Sequence, residues 1–413
     1  MAPIAAVMTG PNAGAIATIQ LFGDSAATVL RDIFRRTDDK PLAFTPGRVF
    51  LGEIIEGLQM IDQVTVGCED HDVFAIHCHG NPMIVERVMG LLGRHGVQAM
   101  RPEQLLARML MKSETENTIA VEARLALTTV KTIEGATLIT HQVTRGLTEK
   151  ARQWQAGLDS TSLEQIAMEA RQILKDSDTA RLIISGCTIA LIGPPNTGKS
   201  TLLNVLAGRE KAIVTDIRGT TRDWVSAEIR IPPLAVTLID TAGLDPLLTA
   251  AGDIDQTAQH KSIEALNRAD LILLVLDASQ PADQFSTAVA APLLGRRSVT
   301  VLNKADLVLQ LDPGLLPEYL GHVVRISAKQ ETGLEDLIRA IHEICGVACF
   351  RPNACVAFTD RQERLLQRLC HTTCRTQVRS IVTQLLEGTV NNFAAHFDML
   401  GFGNAVQNNF HEA

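Results

Sequence analysis

No apolar run in this 413-residue chain approaches the ~20 residues that a membrane-spanning helix needs, and no basic segment followed by a long apolar stretch opens it. Neither a transmembrane helix nor a secretory leader is expected, so the chain reads as cytoplasmic. The eight cysteines, Cys68, Cys78, Cys187, Cys345, Cys349, Cys355, Cys370 and Cys374, lack the paired CxxC spacing of zinc and redox sites. The chain is also far larger than a disulfide scaffold, so most of them read as reduced core thiols. His77, Cys78 and His79 are adjacent, and on a strand adjacent side chains face opposite sides, which argues against a zinc site. Excess positive charge is missing too: the net charge is −8, which excludes a global electrostatic grip on nucleic acid but not a local one. Neither an internal repeat nor a low-complexity segment is found.

With 46% hydrophobic residues, the chain can bury a substantial core and should form two or three domains. Its most informative segment is Gly193-Pro-Pro-Asn-Thr-Gly-Lys-Ser200, which satisfies GxxxxGK[ST] and follows the apolar run Cys187 to Ile192. Gly193 and Gly198 let the main chain approach phosphates closely. Asn196, Thr197, Gly198, Lys199, Ser200 and Thr201 then present backbone N–H groups and the positive end of a helix to the anion. Lys199 adds a point charge for the outer phosphates, and the Ser200 hydroxyl suits Mg²⁺.

Three further elements follow in order. Asp240-Thr-Ala-Gly243 closes a strand, so Asp240 should reach the metal through water and Gly243 should sense the γ-phosphate. In Asn303-Lys-Ala-Asp306 the carboxylate of Asp306 can accept two N–H bonds from guanine, while Asn303 and Lys304 brace the base. Ser327, Ala328 and Lys329 complete the base site. Adenine has no such donor pair, so GTP is expected over ATP. Between loop and Asp240 lies Asp216-Ile-Arg-Gly-Thr-Thr-Arg-Asp223, a first switch in which Thr221 is the better Mg²⁺ candidate and Thr220 the fallback. Leu244 follows Gly243, so the glutamine that positions water in Ras-like enzymes is absent.

Asn196, Ala212-Ile-Val-Thr-Asp-Ile-Arg-Gly-Thr-Thr-Arg-Asp223 and Asp240-Thr-Ala-Gly-Leu244 resemble the MnmE (TrmE) family of tRNA-modification GTPases. The resemblance implies that Asn196 and first-switch carbonyls hold a potassium ion that replaces an arginine finger when two G domains meet. It also implies a water-orienting glutamate, whose place falls on Asp255, one methylene shorter; a surface helix position is the plainer alternative. The catalytic set on this reading is Lys199, Thr221 and Asp255, with Mg²⁺ held by Ser200, Thr221 and Asp240. Outside the G domain, Ala15 to Gly23, His79-Gly80-Asn-Pro82 and Arg101-Pro102-Glu103 are similar to the family's N-terminal landmarks. The family's homodimerisation, tetrahydrofolate site, tRNA substrate and MnmG-like flavoprotein partner are then implied. Folate is the weaker expectation, because Gln20 stands where the family favours arginine and Cys78 and Asn81 replace glycines. The family tail motif Phe-Cys-Ile-Gly-Lys has no counterpart, there being no cysteine after Cys374. A regulatory GTPase that keeps the switch without the modification chemistry is the alternative.

The expected fold is an α/β P-loop GTPase domain inserted in an α-helical domain and preceded by a small α+β domain. Residues 1–112 form the α+β domain, 113–184 and 348–413 the discontinuous helical domain, and 185–347 the G domain. In the last, strands are expected at Ile189 to Ile192, a Val225 to Ile239 hairpin turned at Pro232-Pro233, Leu271 to Leu276, Val299 to Leu302 and Val323 to Ile326. Near the C-terminal end Arg361, Arg364, Arg368, His371, Arg375 and Arg379 recur at spacings of three and four, with Leu365, Leu366, Leu369 and Ile381 opposite. This predicts one amphipathic helix whose basic stripe is either a solvated face over a bundle core or a tRNA contact.

Overall fold

The computed structural model describes residues 2–10, 14–38, 41–112, 117–209, 225–240, 266–281, 293–312, 314, 316–317, 320 and 322–388. They divide into two compact units, one up to residue 117 and one over 118–388. No described helix is long and apolar enough to cross a membrane.

The first unit is built on a seven-stranded sheet of order β3-β4-β5-β6-β2-β1-β7. The strands are β1 (Ile4–Val7), β2 (Ile16–Phe22), β3 (Phe34–Arg36), β4 (Arg48–Glu56), β5 (Gln59–Asp70), β6 (Val73–His79) and β7 (Gln98–Ala99). Alternation sends Ile19, Leu21, Val64, Val66, Phe74 and Ile76 to one buried face. Helices α1 (Ala26–Ile33) and α2 (Pro82–Arg94) add Leu30, Ile33, Val88 and Leu92 to the same core. Asn81 starts α2 by accepting the Met83 N–H, with Pro82 in the first turn, where no intrahelical donor is needed. Helix α3 (Pro102–Lys112) follows.

The second unit holds helices α4 (Thr118–Leu127), α5 (Ile133–Thr144), α6 (Leu147–Ala156) and α7 (Leu163–Ser185), then a six-stranded sheet, then α9 (Leu334–Ile344), α10 (Asp360–His371) and α11 (Arg375–Glu387). Trp154, Ile166 and Ile173 share a core with Leu366, Leu369, Ile381 and Leu385, so segments on either side of the sheet pack together. The single basic helix expected after Arg361 is two helices. Thr372 leaves the helix in extended conformation while its hydroxyl donates to the Arg368 carbonyl at 2.7 Å, a local bond that competes with helix continuation. Nor does Arg361 belong to a solvated stripe. Its guanidinium grips Glu122 at 2.6 and 2.7 Å, and Glu122 is fully buried, also accepting from Thr359 and Gln362.

The sheet of this unit comprises β8 (Cys187–Ile192), β9 (Val225–Ile231), β10 (Leu234–Asp240), β11 (Leu271–Asp277), β12 (Ser298–Asn303) and β13 (His322–Arg325), in the order β13-β12-β11-β8-β10-β9. All neighbours are parallel except β9 and β10, which form the expected hairpin around Pro232-Pro233. Strand β11 is buried at every position, as a strand covered on both faces must be. All eight cysteines are free; Cys68, Cys78, Cys187, Cys345 and Cys370 are buried, and Cys349 and Cys374 are exposed.

Candidate nucleotide site

Five strand ends converge. After β8 the chain moves to β9 and β10 on one side and returns to β11 on the other, so the carboxyl end of β8 is a topological switch point where ligands lodge. The loop Gly193 to Gly198 occupies that end and leads into α8 (Lys199–Arg209). Gly193 has φ 140°, and a Cβ there would strike the Val275 carbonyl oxygen, so only glycine lets the loop lie against β11. Asn196 is exposed and left-handed at φ 61°, a conformation that asparagine tolerates better than most residues. Thr197 is buried, its hydroxyl donating to the Pro194 carbonyl at 3.0 Å.

Lys199 donates to the carbonyls of Gly193 and Pro194 at 2.8 Å each, which bends its ammonium back over the loop that a phosphate would fill. Ser200 donates to Asp240 Oδ2 at 2.6 Å. Two oxygen ligands of the kind a hard divalent cation takes are thereby brought together from α8 and the end of β10, so the residues present fit Mg²⁺. Thr201 lies exposed in the first turn of α8. Thr221, Gly243 and Asp255 lie outside the described residues.

The base side of the site is more heavily bonded than its motif suggests. Asn303 bridges two loops: its amide donates to the Thr197 carbonyl at 2.8 Å and its oxygen accepts from Ala328 N–H at 2.9 Å. It therefore ties the phosphate loop to the Ser327-Ala328-Lys329 turn. Ser327 is buried, closes a two-way backbone bridge with Thr332, and donates to Asp306 Oδ1 at 2.6 Å. That hydroxyl, with the charges of Lys329 and Lys304, holds the Asp306 carboxyl below the usual carboxylate range. Asp306 is thus an ionised acceptor at neutral pH, and Lys329 is exposed beside it.

One participant escaped the sequence reading. Asp277 ends β11 and pairs with Lys304 Nζ at 2.7 Å, while accepting from the N–H and hydroxyl of Ser279 at 2.9 and 2.6 Å. Burial pushes its carboxyl up, but these bonds outweigh burial and hold it below the ordinary value. The pair pins Lys304, itself left-handed at φ 63°, so that its stem can lie along a base. The readable signal was an aspartate closing a wholly apolar strand of a doubly wound sheet.

In the first unit Gln20 is buried and donates to Glu69 at 3.1 Å. His77 meets the Thr18 hydroxyl at 3.0 Å, whereas His79 meets Asp62 at 2.7 Å on the exposed side.

A phosphate loop at the switch point, an oxygen pair for a divalent cation and an ionised aspartate beside a bonded Asn-Lys pair define a P-loop guanine-nucleotide-binding domain. Comparison with known proteins narrows the class. Residues 188–304 match the family model described as 50S ribosome-binding GTPase, and residues 3–109 match that described as GTP-binding protein TrmE N-terminus. The tRNA modification GTPase MnmE of Enterococcus faecalis is 30% identical over 83% of this chain and 80% of its own length. Its namesake in Thermotoga petrophila is 29% identical over 89% of this chain and 88% of its own length. The solved G domain of the T. maritima FeoB iron transporter is 27% identical over 38% of this chain and 98% of its own, at a TM-score of 0.32. The chain belongs to the MnmE family of tRNA modification GTPases.

Proposed function

We propose that this protein binds and hydrolyses GTP and couples that cycle to modification of tRNA at the wobble uridine. The observation that carries the reading is the continuous hydrogen-bonded frame from Thr197 through Asn303 to Ala328, with Asp306 ionised beside it. Such a frame sets phosphate loop and guanine acceptor at one fixed spacing. Relatives named tRNA modification GTPase align over four fifths or more of their length, which supports the tRNA reading over a purely regulatory one.

In this scheme the loop N–H groups of residues 196–201 and Lys199 hold the phosphates, and Lys199 must exchange its loop carbonyls for them. Ser200, Thr221 and Asp240 would hold Mg²⁺, which supplies charge neutralisation at the phosphates. Asn196 is assigned to potassium, its exposed side chain suiting a cation shared across a G-domain interface. Asp306 reads guanine with Ser327, Ala328 and Lys329 around it. Gly243 is the γ-phosphate sensor, and Asp255 is assigned to orient water. The G domain, 185–347, is inserted in a helical domain formed by 113–184 and 348–413, a reading supported by their common core, with the α+β domain at 1–112. A cytoplasmic homodimer with a flavoprotein partner completes the scheme. The residues present do not fit a tetrahydrofolate pocket closely, since Gln20, at the family's arginine position, is already closed on Glu69, and no step is assigned to it.

The test is depletion followed by measurement of wobble-uridine modification in cellular tRNA. Loss restored by the wild-type chain but not by Lys199→Ala is the expected result. Unchanged modification after depletion would remove the tRNA assignment.

A further inference from the structure

We propose that the α10–α11 hairpin is a contact surface for the phosphate backbone of RNA, an inference that rests on the tRNA reading above. From Arg364 to Leu386 the chain carries Arg364, Arg368, His371, Arg375 and Arg379 and not one aspartate or glutamate, although its net charge is −8. The break at Thr372 to Cys374 separates α10 from α11, and bonds from Arg361 and Arg368 to Gln384 and from Arg361 to Leu385 lay the end of α11 alongside α10. Arg364, Arg368, His371, Arg375 and Arg379 are all exposed.

The packing concentrates charge there. Arg368 reaches across to the Gln384 side chain of α11 at 3.2 Å, and Arg171 of α7 donates to the Cys370 carbonyl at 3.1 Å, placing a further guanidinium at the end of α10. The side chains of Arg364 and Arg375 make neither a hydrogen bond nor an ion pair among the described residues. Arg379 has only a 3.8 Å approach to Asp159, with both side chains mostly exposed, which contributes little. Cations spaced three and four apart on a helix have Cβ atoms roughly 5–6 Å apart and repel each other. A polyanion relieves that repulsion, and guanidinium forks match phosphate oxygens in pairs.

The surroundings select RNA over a lipid surface. A helix lying on a membrane presents an apolar face to it. Here Leu365, Leu366, Leu369, Val378, Ile381 and Leu385 are all spent in the bundle core, and no large hydrophobic residue of either helix is exposed.

The test is fluorescence anisotropy of a labelled, unmodified tRNA transcript with the full chain, between about 50 and 200 mM salt. The triple variant Arg364→Gln/Arg368→Gln/Arg375→Gln should bind roughly ten-fold or more weakly at mid-range salt. Its slope of log K against log salt should shrink by ~2–3, each lost phosphate contact removing ~0.7–0.9. Arg375→Gln alone should remove about one such contact, which keeps the test alive should the triple variant not fold. Arg339→Gln, an exposed arginine on α9 paired with Asp336, should bind as wild type. A folded triple variant with wild-type affinity and slope overturns the proposal, as does an equal loss in Arg339→Gln. Loss of binding to phosphatidylserine vesicles with tRNA affinity retained also overturns it, in favour of a membrane face. Wild-type protein that ignores tRNA altogether overturns both this surface and the tRNA reading; wild-type binding with an indifferent variant overturns the surface alone.

Discussion

Asp306 illustrates how much a nucleotide site depends on protonation. Its carboxyl is held ionised by a donated hydroxyl from Ser327, so both oxygens can accept from the guanine edge. Asp306→Asn turns one acceptor into a donor facing a donor. Its GTP affinity should fall by roughly five-fold or more, because a donor then faces a donor across the base contact; an unchanged titration would refute the base assignment. Asp277 offers a pH test in the nucleotide-free protein. Its folded pKa is depressed, so its stabilising contribution is full above the unfolded value of about 3.9 and is lost as pH falls through the lower folded value. Wild type should exceed Asp277→Asn by roughly 1 kcal/mol at pH 7, as suits a half-exposed partner. The gap should close as the pH is lowered towards ~2. Urea melts in which it persists at the lowest pH would discard the Lys304 pair as its source.

At the scale of elements, the fastening between α4 and α10 matters more than either helix alone. Glu122 is fully buried and takes four donated bonds from Thr359, Arg361 and Gln362, so its charge is compensated on every side. Removing one partner of such a pair leaves an uncompensated buried charge. Glu122→Ala should lose about 3–5 kcal/mol in urea unfolding, and a loss under ~1 kcal/mol would mean that water reaches Arg361 freely. The pairing was not readable in advance because the two residues are 239 apart in the chain. Periodicity located Arg361 on a helix but could not say that a carboxylate waited beneath it. The same blindness merged α10 and α11: spacing of three and four survives a short interruption, whereas the Thr372 hydroxyl bond that helps make the interruption is a local geometric event.

For the whole molecule, the missing glutamine after Gly243 means that the lone G domain lacks an evident device for hydrolysis. If potassium at Asn196 and a partner G domain supply it, turnover per molecule should rise with protein concentration, and more so in potassium than in sodium. Equal rates in both salts at every concentration would reject potassium activation and dimerisation together. The Thr197–Asn303–Ala328 frame ties the phosphate loop to the turn at Ala328 through one side chain.

The sequence by itself located the phosphate-loop motif, the serine and aspartate that meet beside it, the Asn303 to Asp306 segment and the strands that carry them. Those are local: a glycine that must approach phosphate, a lysine one residue on, and an aspartate closing the apolar strand β10 each carry their reason within a few residues. Only the tertiary structure decided which polar groups meet across the chain. It gave Lys304 its partner in Asp277, made Asn303 a bridge between loops, seated Arg361 on the buried Glu122 and broke the basic stretch into two helices laid together. Such pairings depend on where packed elements bring distant side chains, and a burial that strips water from a charge chooses its partner by proximity in space.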